Sequence, residues 1–165
     1  VDLPDEQLPL VVSISYGINE QVLSEGYARG VCDLYAQLGL RGVSVIAAAG
    51  NTGPGASCQS NNGSERRVFL PIFPSSCPYV TSVGGTFLKS GDNEIAANFS
   101  SGGFSEYFKR PIWQNVTVRR YLHRHGSQWS GYYNPSGRAT PDVSALAWNH
   151  QIINHDTQES AGGTR

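Results

Sequence analysis

The chain has 165 residues, 39% of them hydrophobic and 15% charged, with a formal net charge of −1 at pH 7. That length bounds it to one ordinary domain or a piece of a larger one, with enough apolar residues for a sizeable core. The near-neutral balance leaves no electrostatic footprint for nucleic acid or a membrane surface, and no apolar run approaches the ~20 residues that span a bilayer.

The opening "VDLPDEQLPLVV" reads as a polar turn entering a strand, with no leader pattern, and the closing "ESAGGTR" carries no helix stop. Both ends predict a segment of a longer, processed protein. "LVVSISY", residues 10–16, predicts a buried strand ended by Gly17. In the next stretch Leu23, Tyr27, Val31, Leu34 and Leu38 fall three or four residues apart, the spacing of one helix face. Gly26 and Gly30 weaken that helix by up to ~1 kcal/mol each relative to Ala, unless they let it sit close on a sheet. Gly39 is the predicted C-cap, and Cys32 falls within the helix as a small buried thiol. "GVSVIAAAG", residues 42–50, predicts a second strand buried on both faces.

Strand, helix and strand within this span make a βαβ unit, hence parallel pairing with a right-handed crossover. Parallel sheets bind ligands beyond the carboxyl ends of their strands, so Gly17 and the pair Gly50–Asn51 should face the same side. Residues 51–68 form a loop rich in Asn, Gly and Ser, flanked by Cys58 and Cys77. A disulfide between those two would contribute ~3 kcal/mol by closing the loop. Pro71, Pro74 and Pro78 exclude a helix, and "YVTSV" predicts a third strand. Residues 89–111 read as loop, "VTVRRYLHRHG" as a short helix, "NPSGRATPDVSALA" as a turn and a short apolar segment, and "NHQIINHD" as one arm of a hairpin. No internal repeat or low-complexity tract is present. Sequons at Asn62, Asn98 and Asn115, with the candidate disulfide, point to a secreted, extracellular glycoprotein.

Four pieces, "VVSISYG", "GVSVIAAAGNTGPG", "FLPIFPSSCPYVTSVGGT" and "SSGGFSEYF…NPSGRATPDVSA", occur in this order and together resemble the sedolisins, the serine-carboxyl peptidases that include fungal secreted tripeptidyl peptidases. The resemblance covers nearly the whole chain. It implies a subtilisin-like α/β fold, a mainly parallel sheet flanked by helices. Residues 1–165 would be the central and C-terminal part of the peptidase domain, incomplete relative to the whole. It also implies a Ser nucleophile, a Glu base oriented by an Asp, and an Asp at the oxyanion hole.

At the oxyanion position the family's "SGDSG" is replaced by "AGNTG", which puts Asn51 there. A carboxyl donates a hydrogen bond only when protonated, whereas an amide NH₂ donates at any pH, so the exchange is chemically tolerable and removes one reason for an acidic optimum. Asn also suits a left-handed turn after a strand. In "AGGTR" the Gly162–Gly163–Thr164 step matches the family's "GGTS", and Arg165 stands where the nucleophile belongs. Ser160 precedes the turn and does not match it. The family's Glu and Asp lie upstream of residue 1, and Asp2, Asp5 and Glu6 read as solvated charge. The family's calcium site lies downstream, so no cofactor or metal is expected within this chain.

Ser13, Ser15, Tyr16 and Gly17 resemble the strand end on which substrate backbone pairs, so an extended peptide could add there by β-augmentation. Gly102, Gly103 and Phe104 match a structural segment of the family, and Arg138 with Asp142 reads as an architectural charge pair. His123 and His125 lie two apart beside Arg119, Arg120 and Arg124, which suits a solvated basic surface better than a metal site.

Two functions stay open. The chain is a segment of a tripeptidyl peptidase, inactive alone, whose partners are a peptide or protein substrate and other segments of its precursor. Alternatively it is a non-catalytic secreted binding protein, for defence or for glycans, whose exposed sheet a homo-oligomer would cover.

Overall fold

The computed structural model describes residues 2–55, 58–90 and 93–164. A five-stranded sheet organises the chain. Strands β1 (Val11–Ile14), β3 (Ser44–Ala48) and β5 (Thr81–Lys89) lie side by side, and β6 (Asn93–Ala96) and β9 (Val143–Leu146) both pair with β5. Three of the four pairings, β1–β3, β3–β5 and β5–β9, are parallel, while β5–β6 is antiparallel. The expected α/β class and the strand–helix–strand unit are therefore present. Two-stranded pieces complete the fold. They are β2 (Ile18–Asn19) with β4 (Ile72–Phe73), β7 (Gly103–Lys109) with β8 (Gly137–Thr140), and the hairpin β10 (His150–Asn154) with β11 (Thr157–Ala161).

Helix α1 (Glu25–Leu40) joins β1 and β3 across one face of the sheet. Ser24 caps it by accepting from the Tyr27 amide at 3.3 Å. The stop differs from the expected Gly39: the chain leaves the helix at Arg41, and Gly42 takes the left-handed conformation at φ 83°. The buried face also differs. Ala28 and Cys32 are fully enclosed while Tyr27 is 60% exposed, so the sheet-facing stripe runs through Ala28, Val31, Cys32, Tyr35 and Leu38. Small residues set the closest approach of helix and sheet, and a reading that follows bulky side chains rotates the face. Gly26 and Gly30 do not serve that approach, since a Cβ at either would meet nothing within 4 Å.

The core beneath α1 gathers Val45 and Ala47 of β3, Phe73 of β4, Val80 and Phe108. Cys77 belongs to it, at 0% exposure, and this corrects the predicted disulfide. The bond joins Cys32 to Cys77, with Cα atoms 5.6 Å apart, and Cys58 is free, its Sγ 3.5 Å from the Gly55 carbonyl oxygen. Cys77 points inward at the helix face and away from the loop that it follows. Loop-closure entropy grows only with the logarithm of length, so the wider separation of 45 residues is no obstacle.

Residues 89–111 contain β6 and β7 where loop was expected. Strand β6 is ordered by its antiparallel pairing with β5, whereas β7 is held by Glu20, 0% exposed in the turn after β2. Its carboxylate accepts from the Ser105 hydroxyl at 2.5 Å and from the amides of Glu106 at 2.8 Å and Tyr107 at 3.4 Å. Burial pushes the Glu20 carboxyl pKa up, and these hydrogen bonds oppose the shift. Helix α2 (Asn115–His125) matches the second predicted helix.

Candidate active site

Because β1 and β3 run parallel, the chain leaves both on the same side of the sheet, as expected. There, Ser15, Tyr16 and Gly17 meet Gly50, Asn51 and Thr164 around a cleft of about 190 Å³, backed by Ile72. Two glycines make the cleft possible. A Cβ on Gly17 would lie 2.4 Å from Ile72 Cγ2 and 2.8 Å from the Phe73 carbonyl oxygen. Gly50 turns the chain at φ 106°, and a Cβ there would lie 2.7 Å from Ile72 Cγ1 and 2.9 Å from Ser101 Oγ.

The loop after β3 is fixed against residues 99–101. The Ser101 amide donates to the Gly50 carbonyl oxygen at 2.9 Å, the Thr52 amide to Ser101 Oγ at 3.1 Å, and the Gly53 amide to the Phe99 carbonyl oxygen at 2.8 Å. Asn51 is exposed on that platform and lacks the positive φ that a left-handed turn would give it. Its Oδ1 accepts from the Thr164 amide at 2.7 Å and the Thr164 hydroxyl at 2.9 Å, and the Gly50 amide donates to the same hydroxyl at 3.0 Å. A backbone N–H is an obligatory donor, so the side-chain atom facing it is the oxygen, and this sets which way the amide points. Nδ2 therefore faces away from Thr164 and donates to no group among the described residues. Gly163 permits this placement, because its missing Cβ would stand 3.1 Å from Nδ2. The result is a fixed, neutral donor at the mouth of a cleft, whose donation does not depend on pH.

No family model matches the chain. Tripeptidyl-peptidase SED2 of the fungus Arthroderma otae is 50% identical over 164 residues, 99% of this chain and 27% of that protein. Tripeptidyl-peptidase SED4 of the same fungus is 50% identical over 165 residues, again 27% of its length. This chain thus spans about a quarter of the curated relatives that it matches. The solved structure of Pseudomonas sedolisin, a serine-carboxyl proteinase complexed with two molecules of pseudo-iodotyrostatin, matches with a TM-score of 0.66 at 22% identity, over 96% of this chain and 44% of that one. The S41 psychrophilic protease matches at a TM-score of 0.53 and 17% identity. The chain is a partial sedolisin-family domain.

Within this sedolisin segment the other predicted positions are placed as follows. Ser13 lies in β1 and Ser15, Tyr16 and Gly17 directly follow it; all four are exposed, and the sole partner of β1 among the described residues is β3, so one edge of β1 is open. Arg165 lies outside the described residues. Ser160 sits in β11 and donates to Asn149 Oδ1 at 2.8 Å, away from the cleft. Asp5 pairs with Arg41 at 2.7 Å on the surface. The His125 ring packs on Tyr121 with centroids 5.3 Å apart, and among the described residues no three His, Cys, Asp or Glu side chains converge as metal ligands. Of the sequon residues, Asn62 and Asn98 are exposed, while Asn115 opens α2, half-buried, with its Oδ1 accepting from Arg110 Nε at 3.1 Å.

Arg138 and Asp142 form an ion pair at 2.5 Å, with Arg138 1% exposed. Burial lowers the guanidinium pKa and the neighbouring carboxylate opposes that. Gln114, absent from the sequence reading, completes the cluster by donating to Asp142 Oδ1 at 2.9 Å and accepting from the Ala139 amide at 3.0 Å. Thr164 was legible only as part of a motif. Its hold on Asn51 needs the fold, because 113 residues separate the two.

Proposed function

We propose that this chain is a segment of a secreted sedolisin-type tripeptidyl peptidase, and that Asn51 is its oxyanion donor. The observation that carries the reading is the amide orientation: Oδ1 is held by Thr164 and Nδ2 is left for a ligand. A substrate peptide extends along the open edge at Ser13 to Gly17, which brings one of its carbonyl groups to the cleft. When that carbonyl becomes tetrahedral, its negative oxygen accepts from Nδ2. The relatives named as tripeptidyl peptidases support the substrate class. The Cys32–Cys77 disulfide and the exposed Asn62 and Asn98 support an oxidising, extracellular setting, and no helix among the described residues is long and apolar enough to cross a membrane.

Among the described residues that line the cleft there is no carboxylate and no histidine, and the expected outcome for the 165-residue chain alone is no turnover of peptide. One observation favours the alternative of a non-catalytic binding protein: Arg165 follows Gly162–Gly163–Thr164, and a guanidinium cannot act as the nucleophile. A chimera separates the two. Residues 2–164 replace the matching segment of the Arthroderma otae SED2 enzyme, followed either by Ser or by Arg. With Ser, the peptidase reading gives turnover of a fluorogenic tripeptide substrate, and Asn51→Ala lowers kcat by about 10²–10³ with little change in KM. Full activity in Asn51→Ala would overturn the oxyanion role. An inactive Ser chimera that still folds would favour the binding protein.

A further inference from the structure

A second, larger concavity of about 650 Å³ lies across the loop that carries Asn51. Buried Phe104 is its floor, stacked on Tyr133 with ring centroids 4.9 Å apart. Its walls are Tyr121 and Trp129, 53% and 48% exposed, with Phe69 edge-on to Trp129 at 5.8 Å. The rings are held in place: Tyr133 Oη donates to the Gly126 carbonyl oxygen at 2.8 Å, and the Phe69 amide to the Tyr132 carbonyl oxygen at 2.8 Å. Among the described residues no Asp, Glu, Lys or Arg lines the groove, and His125 contributes its one imidazole. A preformed apolar site of this size, with aromatic walls left open to water, suits a neutral aromatic group that can stack on them.

The groove is continuous with the Asn51 cleft. Gly53 and Pro54 line it directly after Asn51 and Thr52, which line the cleft. One segment backs both: Phe99 and Ser101 hold the Asn51 loop, while Asn98 and Ser100 line the groove. A peptide that enters along β1 and presents a carbonyl at Asn51 runs on over Gly53–Pro54 into the groove. We propose that the groove is a subsite for an aromatic side chain of the peptide ligand, on the far side of Asn51 from β1. The assignment of a peptide as occupant rests on the function proposed above.

The test is equilibrium binding to the 165-residue protein, which needs no turnover. With Trp113→Phe and Trp148→Phe in place, Trp129 is the sole tryptophan and reports on the groove. N-acetylphenylalaninamide should change its emission saturably, and N-acetylalaninamide should not. An acetylated Ala/Ser octapeptide with a single Phe should bind at least tenfold tighter than the amide when the Phe sits at one particular position, because its backbone also engages β1. Thr117→Trp, an exposed change on α2, fills the groove without touching the core and should abolish both effects, which guards against a Phe104→Ala variant that fails to fold. Amide binding involves no turnover, so failure of the oxyanion reading in the chimera remains separable from failure of the groove. Equal response to the Phe and Ala amides, indifference to Thr117→Trp, or no gain for the octapeptide at any Phe position would each overturn the proposal.

Discussion

The Asn51 cleft and the Arg138–Asp142 cluster are assembled in the same way, from side chains beside strand ends held by backbone donors and acceptors, yet they differ in what they leave unspent. In the cluster, Asp142 Oδ1 takes Gln114, Oδ2 takes Arg138 and the Ser82 amide, and Gln114 Oε1 takes the Ala139 amide. Each of those acceptors is used within the fold. At Asn51 only the oxygen is used, and the donor end stays open on the surface. The one cluster donor without a partner among the described residues, Arg138 Nε, is buried out of a ligand's reach, and polar groups turned inward in this way serve architecture. Asn51, fixed at its oxygen and free at its nitrogen, keeps a donor open to the surface, as the oxyanion proposal requires.

The sharpest break is at Arg138. Arg138→Met leaves the Asp142 carboxylate without its counter-charge, and the cost should be about 3 kcal/mol, at the low end of the range for a broken buried pair because the Asp142 side chain keeps 24% exposure. Urea denaturation measures it, and a loss below about 1 kcal/mol would place the cluster with ordinary surface pairs.

Glu20 is a second inward-spent group and its effect depends on pH. Its folded pKa is raised, so the folded state binds more protons than the unfolded one, and stability falls as pH rises through the window above the ordinary value of 4.5. Glu20→Gln removes that decline. The stability difference between wild type and variant should therefore move towards the variant as pH rises above 4.5, whatever its baseline, and a constant difference would contradict the raised pKa. The smallest effect belongs to the open site. Asn51→Ala costs the fold about 1–2 kcal/mol, because the amide and hydroxyl of buried Thr164 lose their shared acceptor while the Asn51 side chain itself is exposed. A loss equal to that of Arg138→Met would make Asn51 architectural too.

The sheet, α1 and α2, and the meeting of the two strand ends were legible because parallel strands and apolar spacing constrain them locally. The disulfide was not. Cys58 and Cys77 flank a loop in sequence, but which way a Cβ points is decided by packing, and Cys77 faces α1. Strand β6 was hidden because its four residues, Asn93–Ala96, carry no apolar alternation, and β7 because its anchor is Glu20, a carboxylate some 85 residues from Ser105. The position of Asn51 was legible from its motif, whereas its orientation was not, since that depends on the amide of Thr164.

The most direct test of that orientation is the pH profile of Asn51→Asp in the Ser-containing chimera. A carboxyl donates only while protonated, so kcat should keep its acidic limb and fall as pH rises through the carboxyl pKa, while the Asn51 form stays active towards neutral pH. Identical profiles for the two would contradict the assignment of Nδ2 as the oxyanion donor.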